Sequence, residues 1–315
     1  MAESPITENG TPALKISAVV CSYNRDKFIG RALYCLAQQS LSPDLYEVLI
    51  IDNNSTDQTA SICKNIITEN PLIRIRYFFE PVPGLSAARN RGLKEAQSGI
   101  ITYIDDDAEA TRFFLENIII FLDGEPTIAG IGGKVIPKYE NGKEPLWMND
   151  YLNGFVGKVN HGDEPKQFTG KMKYPAGCNM TYRKDILIKA GGFNNQLTFR
   201  SDDKYMYQQV SKINNRIYYL PAALVYHNID SERLEFSSFK KIYLKTGNEE
   251  RIRVLSENGK KGVAKKLIKF IVNLSASFFL YIIFFLKGHK IKGRYIVYSQ
   301  WFTLKGFLMK KVFVR

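Results

Sequence analysis

Ile100-Ile101-Thr102-Tyr103-Ile104-Asp105-Asp106-Asp107 sets a run of β-branched and aromatic residues directly against three carboxylates. A run this apolar suits a strand buried on both faces, as in a parallel sheet. The carboxyl end of such a strand is where open α/β sheets place ligands. Three adjacent acids repel one another and raise one another's pKa unless a cation or water relieves them. Hard divalent cations such as Mg2+ or Mn2+ take oxygen ligands of this kind, commonly while holding substrate phosphates. An isolated acidic triplet also fits a solvated turn or a helix N-cap, so the assignment depends on its surroundings.

Upstream, apolar runs alternate with helical spacings. Lys15–Ser22 is a predicted strand, and Phe28–Gln39 is a helix with Ile29, Leu33, Leu36 and Ala37 on one face. Glu47–Asp52 is a second strand, followed by turn residues Asn53–Asp57 and a helix to about Glu69. Ile73–Phe79 is a third strand. Pro81-Val82-Pro83-Gly84 then breaks the chain, and Ser86 is expected to cap a helix over Ala87–Gln97. This βα alternation predicts an α/β fold with a right-handed, mostly parallel, Rossmann-like sheet flanked by helices. Three strands then end in polar residues on one edge: Ser22-Tyr23-Asn24, Asp52-Asn53-Asn54 and Asp105-Asp106-Asp107. One crevice there suits a base and ribose near Tyr23 and Asp52, and a cation with phosphates near Asp107.

The second half is less regular. Strands are expected over Thr127–Pro137, Tyr174–Tyr182, Arg216–Leu220 and Ala223–Tyr226, the last reaching His227. Lys184–Ala190 is a short helix, and Ser201-Asp202-Asp203 opens another. Residues 138–173 are long, polar and aromatic, which predicts a functional or mobile loop.

In chain order, SAVVCSYNR, VLIIDNNSTDQT, GLSAARNRGL, ITYIDDD, GCNMTYRKD, GGFNNQLTFRSDD and VYH resemble glycosyltransferase family 2. The resemblance runs from about Lys15 to His227, some two thirds of the chain. It implies the GT-A fold and an inverting transferase acting on a nucleotide-sugar, here a UDP-sugar, with Mn2+ or Mg2+. The expected donor-binding residues are Ser22, Tyr23, Asn24, Asp52, Asn53, Arg89, Asn90, Asp105 and Asp106. Of these, Tyr23 would pack on the base and Asp52 or Asn53 would read its edge, while Asp106 also serves the turn. Asp105, Asp107 and His227 are the implied metal ligands. Asp202 matches the acid that acts as general base, with Asp203 as the alternative; Ser201 stands where the family has Glu. The implied acceptor is a saccharide or lipid-linked hydroxyl, as in the growth of a surface polysaccharide. A sugar-phosphate nucleotidyltransferase would want a Gly-rich basic loop after the first strand, where this chain has Ser22-Tyr23-Asn24-Arg25. A non-catalytic, membrane-bound nucleotide-sugar sensor differs from an enzyme only in activity.

The net charge of +13 is concentrated at one end. Residues 240–315 carry 18 Lys/Arg against 3 Asp/Glu, whereas residues 1–239 are close to neutral. Nucleic-acid binding would interleave basic residues through a folded surface. Here the excess borders Leu267–Leu286, an apolar run close to the ~20 residues that span a bilayer. Lysines on both flanks disfavour sending either end across. The expectation is a peripheral or monotopic attachment, through residues 260–311, to the anionic cytoplasmic face of the inner membrane. Met1–Lys15 lacks the pattern of a signal peptide, and Cys21, Cys35, Cys63 and Cys178 show no CxxC spacing. The expected organisation is a disordered segment 1–14, a catalytic domain 15–235 divided near 110 into nucleotide and acceptor halves, and a basic helical region 236–315.

Overall fold

The structure, a computed structural model, describes residues 13–169 and 172–309. The expectation of disorder over residues 1–12, and residues 310–311 of the basic tail, lie outside the described residues. The chain divides into two compact units. One is Met1–Ile136 with Val159–Asn195 and Asp202–Asn228; the other is Pro137–Lys158 with Gln196–Ser201 and Ile229–Arg315.

In the first unit, strands β1 (Ile16–Ser22), β2 (Tyr46–Asp52), β3 (Arg74–Phe79) and β4 (Ile100–Asp105) lie in the order β3-β2-β1-β4, all parallel. Every residue of β1 and β2 is buried, as their unbroken apolar character requires. The register sets Ser22 beside Asp52 and Cys21 beside Asp105, so the polar strand ends share one edge. The crossovers are α1 (Asp26–Ala37), α2 (Thr59–Glu69) and α3 (Leu85–Glu95). α1 buries Ile29, Leu33, Leu36 and Ala37, the stripe its spacing gave. Ser86 does not cap α3, because the helix starts earlier. The N-cap is Gly84 at φ 128, a value that favours glycine. Its N–H is bound by Asn53 Oδ1 at 2.8 Å, which fixes the entry of the chain two residues upstream of Ser86.

Beyond β4 the pairing turns antiparallel. The later elements are β5 (Ala108–Ala110), α4 (Phe114–Gly124), β6 (Gly130–Tyr139), β7 (Lys166–Gln167), β8 (Asn179–Arg183), α5 (Lys184–Lys189), α6 (Asp202–Ile213) and β9 (Ile217–Ile229). The sheet continues β4-β8-β6-β9-β5, with β7 beside β9, and is therefore mixed. The two strands expected over 216–226 are one. Pro221 falls between the pairing of β9 with β7 at Tyr218–Tyr219 and with β5 at Val225–His227, and its interruption of the apolar run made one strand look like two.

The second unit holds the basic tail and part of the expected loop. Within 138–173, Trp147, Met148, Leu152, Phe155 and Val156 are buried with Phe239 and Phe302. The indole of Trp147 stacks on Tyr295 at 4.6 Å. Aromatic burial on this scale packs residues 147–156 into a core. Helix α7 (Phe236–Leu286) reverses at Gly259, φ 59, as the Asn-Gly pair there allows. Glu250 receives Arg253 at 2.8 Å and Lys266 at 2.6 Å, tying the two arms together. α8 (Lys290–Leu308) packs on α7 through glycines. A Cβ on Gly247 would lie 2.0 Å from the Thr303 carbonyl, and one on Gly306 equally close to Leu244. The arm after Gly259 buries Phe270 and Ser277 but leaves Phe279 71% and Leu286 78% exposed.

Under the parallel sheet, the fully buried Glu47 carboxylate accepts from Ser17 Oγ (2.6 Å), the Gln97 N–H (2.7 Å) and Arg76 Nη2 (2.6 Å). Removing it strands the Arg76 charge and two donors. Glu47→Ala is expected to destabilise the chain by about 3 kcal/mol, and Glu47→Gln by roughly half of that, measured by chemical unfolding.

Candidate active site

Asp105 ends β4, Asp106 and Asp107 form the turn, and β5 then pairs with β9 so that Ala108 faces His227. The Asn228 N–H donates to the Asp107 carbonyl at 2.8 Å, closing that turn. The pairing carries His227 Nε2 to 3.0 Å from Asp107 Oδ1. One ligand atom from each of Asp105, Asp107 and His227 lies within 4.8 Å of the other two. Two carboxylates and an imidazole are a donor set that fits a divalent cation of the Mn2+ or Mg2+ class, with coordination positions left for phosphate oxygens.

Arg25, just after β1, donates from Nε to Asp106 Oδ1 at 3.2 Å and from Nη2 to Asp107 Oδ2. It therefore fixes Asp107 through one oxygen while the other faces His227. Burial pushes the Asp106 carboxyl up to about 7, against the pull of Arg25, and Asp107 adds to the rise. Burial raises Asp105 as well, opposed by Arg89.

Arg89 in α3 is 2% exposed. Its guanidinium donates to Asp202 Oδ2, to Asp105 Oδ1 at 3.2 Å and to the Gly177 carbonyl at 3.1 Å. Burial works against that charge, but Asp202 and Asp105 push its pKa up and keep it protonated. A Cβ on Gly177 would sit 2.7 Å from Nη2, so only glycine lets the guanidinium lie flat there. Asp202 is 2% exposed and engaged by Arg89. Asp203 is half-buried and accepts from the Gly177 N–H at 3.3 Å.

Other expected donor residues are committed to the walls. Asp52 accepts from the Ser55 N–H at 2.9 Å and from the Tyr77 hydroxyl. Asn53 donates to the carbonyls of Glu80 (3.1 Å) and Val82 (2.6 Å) besides holding Gly84. Asn24, at φ 51, accepts from the Thr56 N–H at 2.7 Å. Asn90 pins Phe193 through N–H and carbonyl, both at 2.8 Å. Ser22 is buried beside Asp106, whereas Tyr23 is half-exposed at the mouth. Arg25, Tyr77, Gly177 and Asn228 escaped the sequence reading, since each matters only through a partner distant in the chain.

The Glycosyl transferase family 2 profile matches residues 17–191, more than half of the chain. The chain belongs to glycosyltransferase family 2. It is a glycosyltransferase, and the edge holding Asp105, Asp107, His227 and Asp202 is its candidate active site. It is 23% identical over 239 residues to the glucosyl-dolichyl phosphate glucuronosyltransferase of Haloferax volcanii, covering 71% of this chain and 72% of that one. The mannosyltransferase PcManGT of Pyrobaculum calidifontis, solved with GDP-Man and Mn2+, superposes with TM-score 0.60 at 16% identity, over 95% and 89% of the chains. Residues 1–349 of Staphylococcus aureus TarS, solved with UDP, give TM-score 0.54 at 18% identity over 91% of each chain. These likenesses show the shared GT-A fold.

Asp107→Asn and His227→Ala are each expected to weaken Mn2+ binding at least about tenfold, read by titration of the free-ion EPR signal. Unchanged affinity in both variants would remove the cluster as the cation site.

Proposed function

We propose that this glycosyltransferase moves a sugar, with inversion, from a UDP-sugar to a hydroxyl of a lipid-linked or surface polysaccharide acceptor at the cytoplasmic face of a membrane. Its main support is the convergence of Asp105, Asp107 and His227 with the Asp202–Asp203 pair around one buried arginine. A divalent cation held by Asp105, Asp107 and His227 would neutralise the departing diphosphate as a Lewis acid. Tyr23, half-exposed at the strand edge, stacks on the base; Asp52 and Asn53 shape the wall behind it. The TarS structure with UDP and the mannosyltransferase with GDP-Man and Mn2+ are in keeping with a nucleotide donor.

Proton removal from the acceptor falls to Asp203 rather than Asp202. Asp202 is buried against Arg89, so its carboxylate holds the arginine, while Asp203 is half-exposed at the start of α6. A base so placed contributes on the order of 10²–10⁴-fold. Direct attack by the acceptor inverts the anomeric centre. Cys21, the thiol next to the site, offers no covalent alternative, since burial drives its pKa far up and keeps it protonated.

The acceptor class is favoured by the tail. The second arm of α7 is apolar on its packed and exposed faces alike, with Phe278, Phe279, Ile282 and Ile283 each about half or more exposed. Lys260, Lys261 and Lys265 precede this arm's apolar stretch and Lys287, Lys290, Lys292 and Arg294 follow it. Such a helix lies in a bilayer interface with its lysines at anionic headgroups. The Haloferax relative is named for a dolichyl phosphate-linked substrate, in line with this class.

UDP-, GDP- and dTDP-sugars incubated with the full chain and Mn2+ are expected to release nucleoside diphosphate from a UDP-sugar. Release from none of them, or equally well in chelator, contradicts the proposal. Asp203→Asn is expected to lower turnover about 10²–10⁴-fold at unchanged Mn2+ and UDP affinity. Asp202→Asn is expected to lower the melting temperature as well, because it strands Arg89. The full chain is expected to float with phosphatidylglycerol vesicles at low salt, and Phe279→Asp with Ile283→Asp to reduce that fraction several-fold. Equal flotation of parent and double variant rules this arm out as the attachment site.

A further inference from the structure

We propose that Arg25 is a specificity-determining residue of the cation site: it restricts Asp107 to a single ligand oxygen and so selects Mn2+ or Mg2+ over Ca2+. The inference rests on the reading of Asp105, Asp107 and His227 as the cation ligands. Every residue it uses belongs to the first unit.

Arg25 stands between β1 and α1 with its main chain fixed. Its N–H donates to Thr59 Oγ1 at 3.0 Å, and its carbonyl accepts from the N–H groups of Phe28 and Ile29, both at 3.0 Å. Three groups hold the guanidinium. The Phe28 ring centroid is 5.0 Å from Cζ, Asp106 Oδ1 accepts from Nε at 3.2 Å, and Asp107 Oδ2 accepts from Nη2. A guanidinium carries its donors in one rigid plane, so the bond to Asp106 fixes the direction from which Nη2 meets Asp107. The Asp107 side chain is only 4% exposed, which leaves its carboxylate little room to turn.

The two oxygens of Asp107 are thereby divided. Oδ2 is on Arg25, and Oδ1 lies 3.0 Å from Nε2 of His227, its partner in the cluster. An ion in that cluster takes one oxygen from Asp107. Ca2+ gathers about 6–8 oxygens and often takes both oxygens of one carboxylate, whereas Mg2+ demands a near-octahedral set. Mn2+ is served by six-fold sites of the same kind. A carboxylate limited to one oxygen suits Mg2+ and Mn2+ and denies Ca2+ a ligand. The charge of Arg25 opposes Mn2+ and Ca2+ alike, since both are divalent, and so cancels from the ratio of their affinities. The division of the oxygens does not cancel.

The test loads the full chain with Mn2+, without nucleotide, and displaces it with Ca2+, reading the free-ion EPR signal of the released Mn2+. Mn2+ affinity is titrated separately. Partners of metal ligands move metal affinity about 10- to 100-fold, so in Arg25→Met the Ca2+-to-Mn2+ affinity ratio is expected to rise at least about tenfold over the parent. Arg25→Lys keeps the charge but loses the fork, and is expected to fall between the two. In an Asp107→Asn background, Arg25→Met is expected to leave the ratio unchanged, because an amide has one oxygen whether or not Arg25 is present. A parent-like ratio in Arg25→Met, with Mn2+ and Ca2+ affinities unchanged or altered by the same factor, reduces Arg25 to a charge or a brace and overturns the proposal. A ratio shift that persists in the Asp107→Asn background overturns it too. If Asp107→Asn alone binds Mn2+ as the parent does, the cation-site reading fails first.

Discussion

One guanidinium holds the candidate site together. Arg89 is buried from solvent and bound by two acids that come from β4 and α6, elements more than ninety residues apart in the chain. A buried charge is tolerated only when it is paired and hydrogen-bonded. Here the pairing ties the first acid of the candidate metal cluster to the acid that begins α6. Gly177 contributes by having no side chain, since the guanidinium lies where a Cβ would project. Asp105 and Asp202 are thus held to each other through one shared cation.

The parallel half of the fold was legible because its signal is local. Four apolar runs separated by helical spacings define β1 to β4, and the polar residues ending three of them define an edge. The second half was harder to read. Its strands pair antiparallel across long separations, and β9 passes through a proline that breaks the pattern locally. The segment 138–173 looked like a loop because its aromatic residues follow no period. Their burial depends on Phe239 and Phe302, which lie far along the chain.

The site was legible in its residue types and less so in their division of labour. Asp202, Met206 and Val210 share the buried face of α6 at a spacing of four. Asp203 lies about 100° round the helix from that face. That periodicity was available in the sequence and separates a core-facing acid from a partly buried neighbour. The structural roles of Asn53 and Asn90 were not available, because each spends its side chain on backbone groups of another loop, and Asp52 is taken up by its own turn and by the Tyr77 hydroxyl. A motif residue can define a pocket by bracing its wall without touching the ligand.

The tail has a practical consequence for anyone handling the protein. In many peripheral enzymes an apolar attachment can be clipped away to leave a soluble core. Here the inner faces of α7 and α8 complete the cluster around Trp147, Phe155 and Phe239, and the glycine contacts at Gly247 and Gly306 allow no substitute partner. Cutting at Gly259 strips α8 from those rings, and cutting before Phe236 removes Phe239 as well. The tail is therefore part of this unit's own core, and a chain shortened there exposes the rings of Trp147 and Phe155.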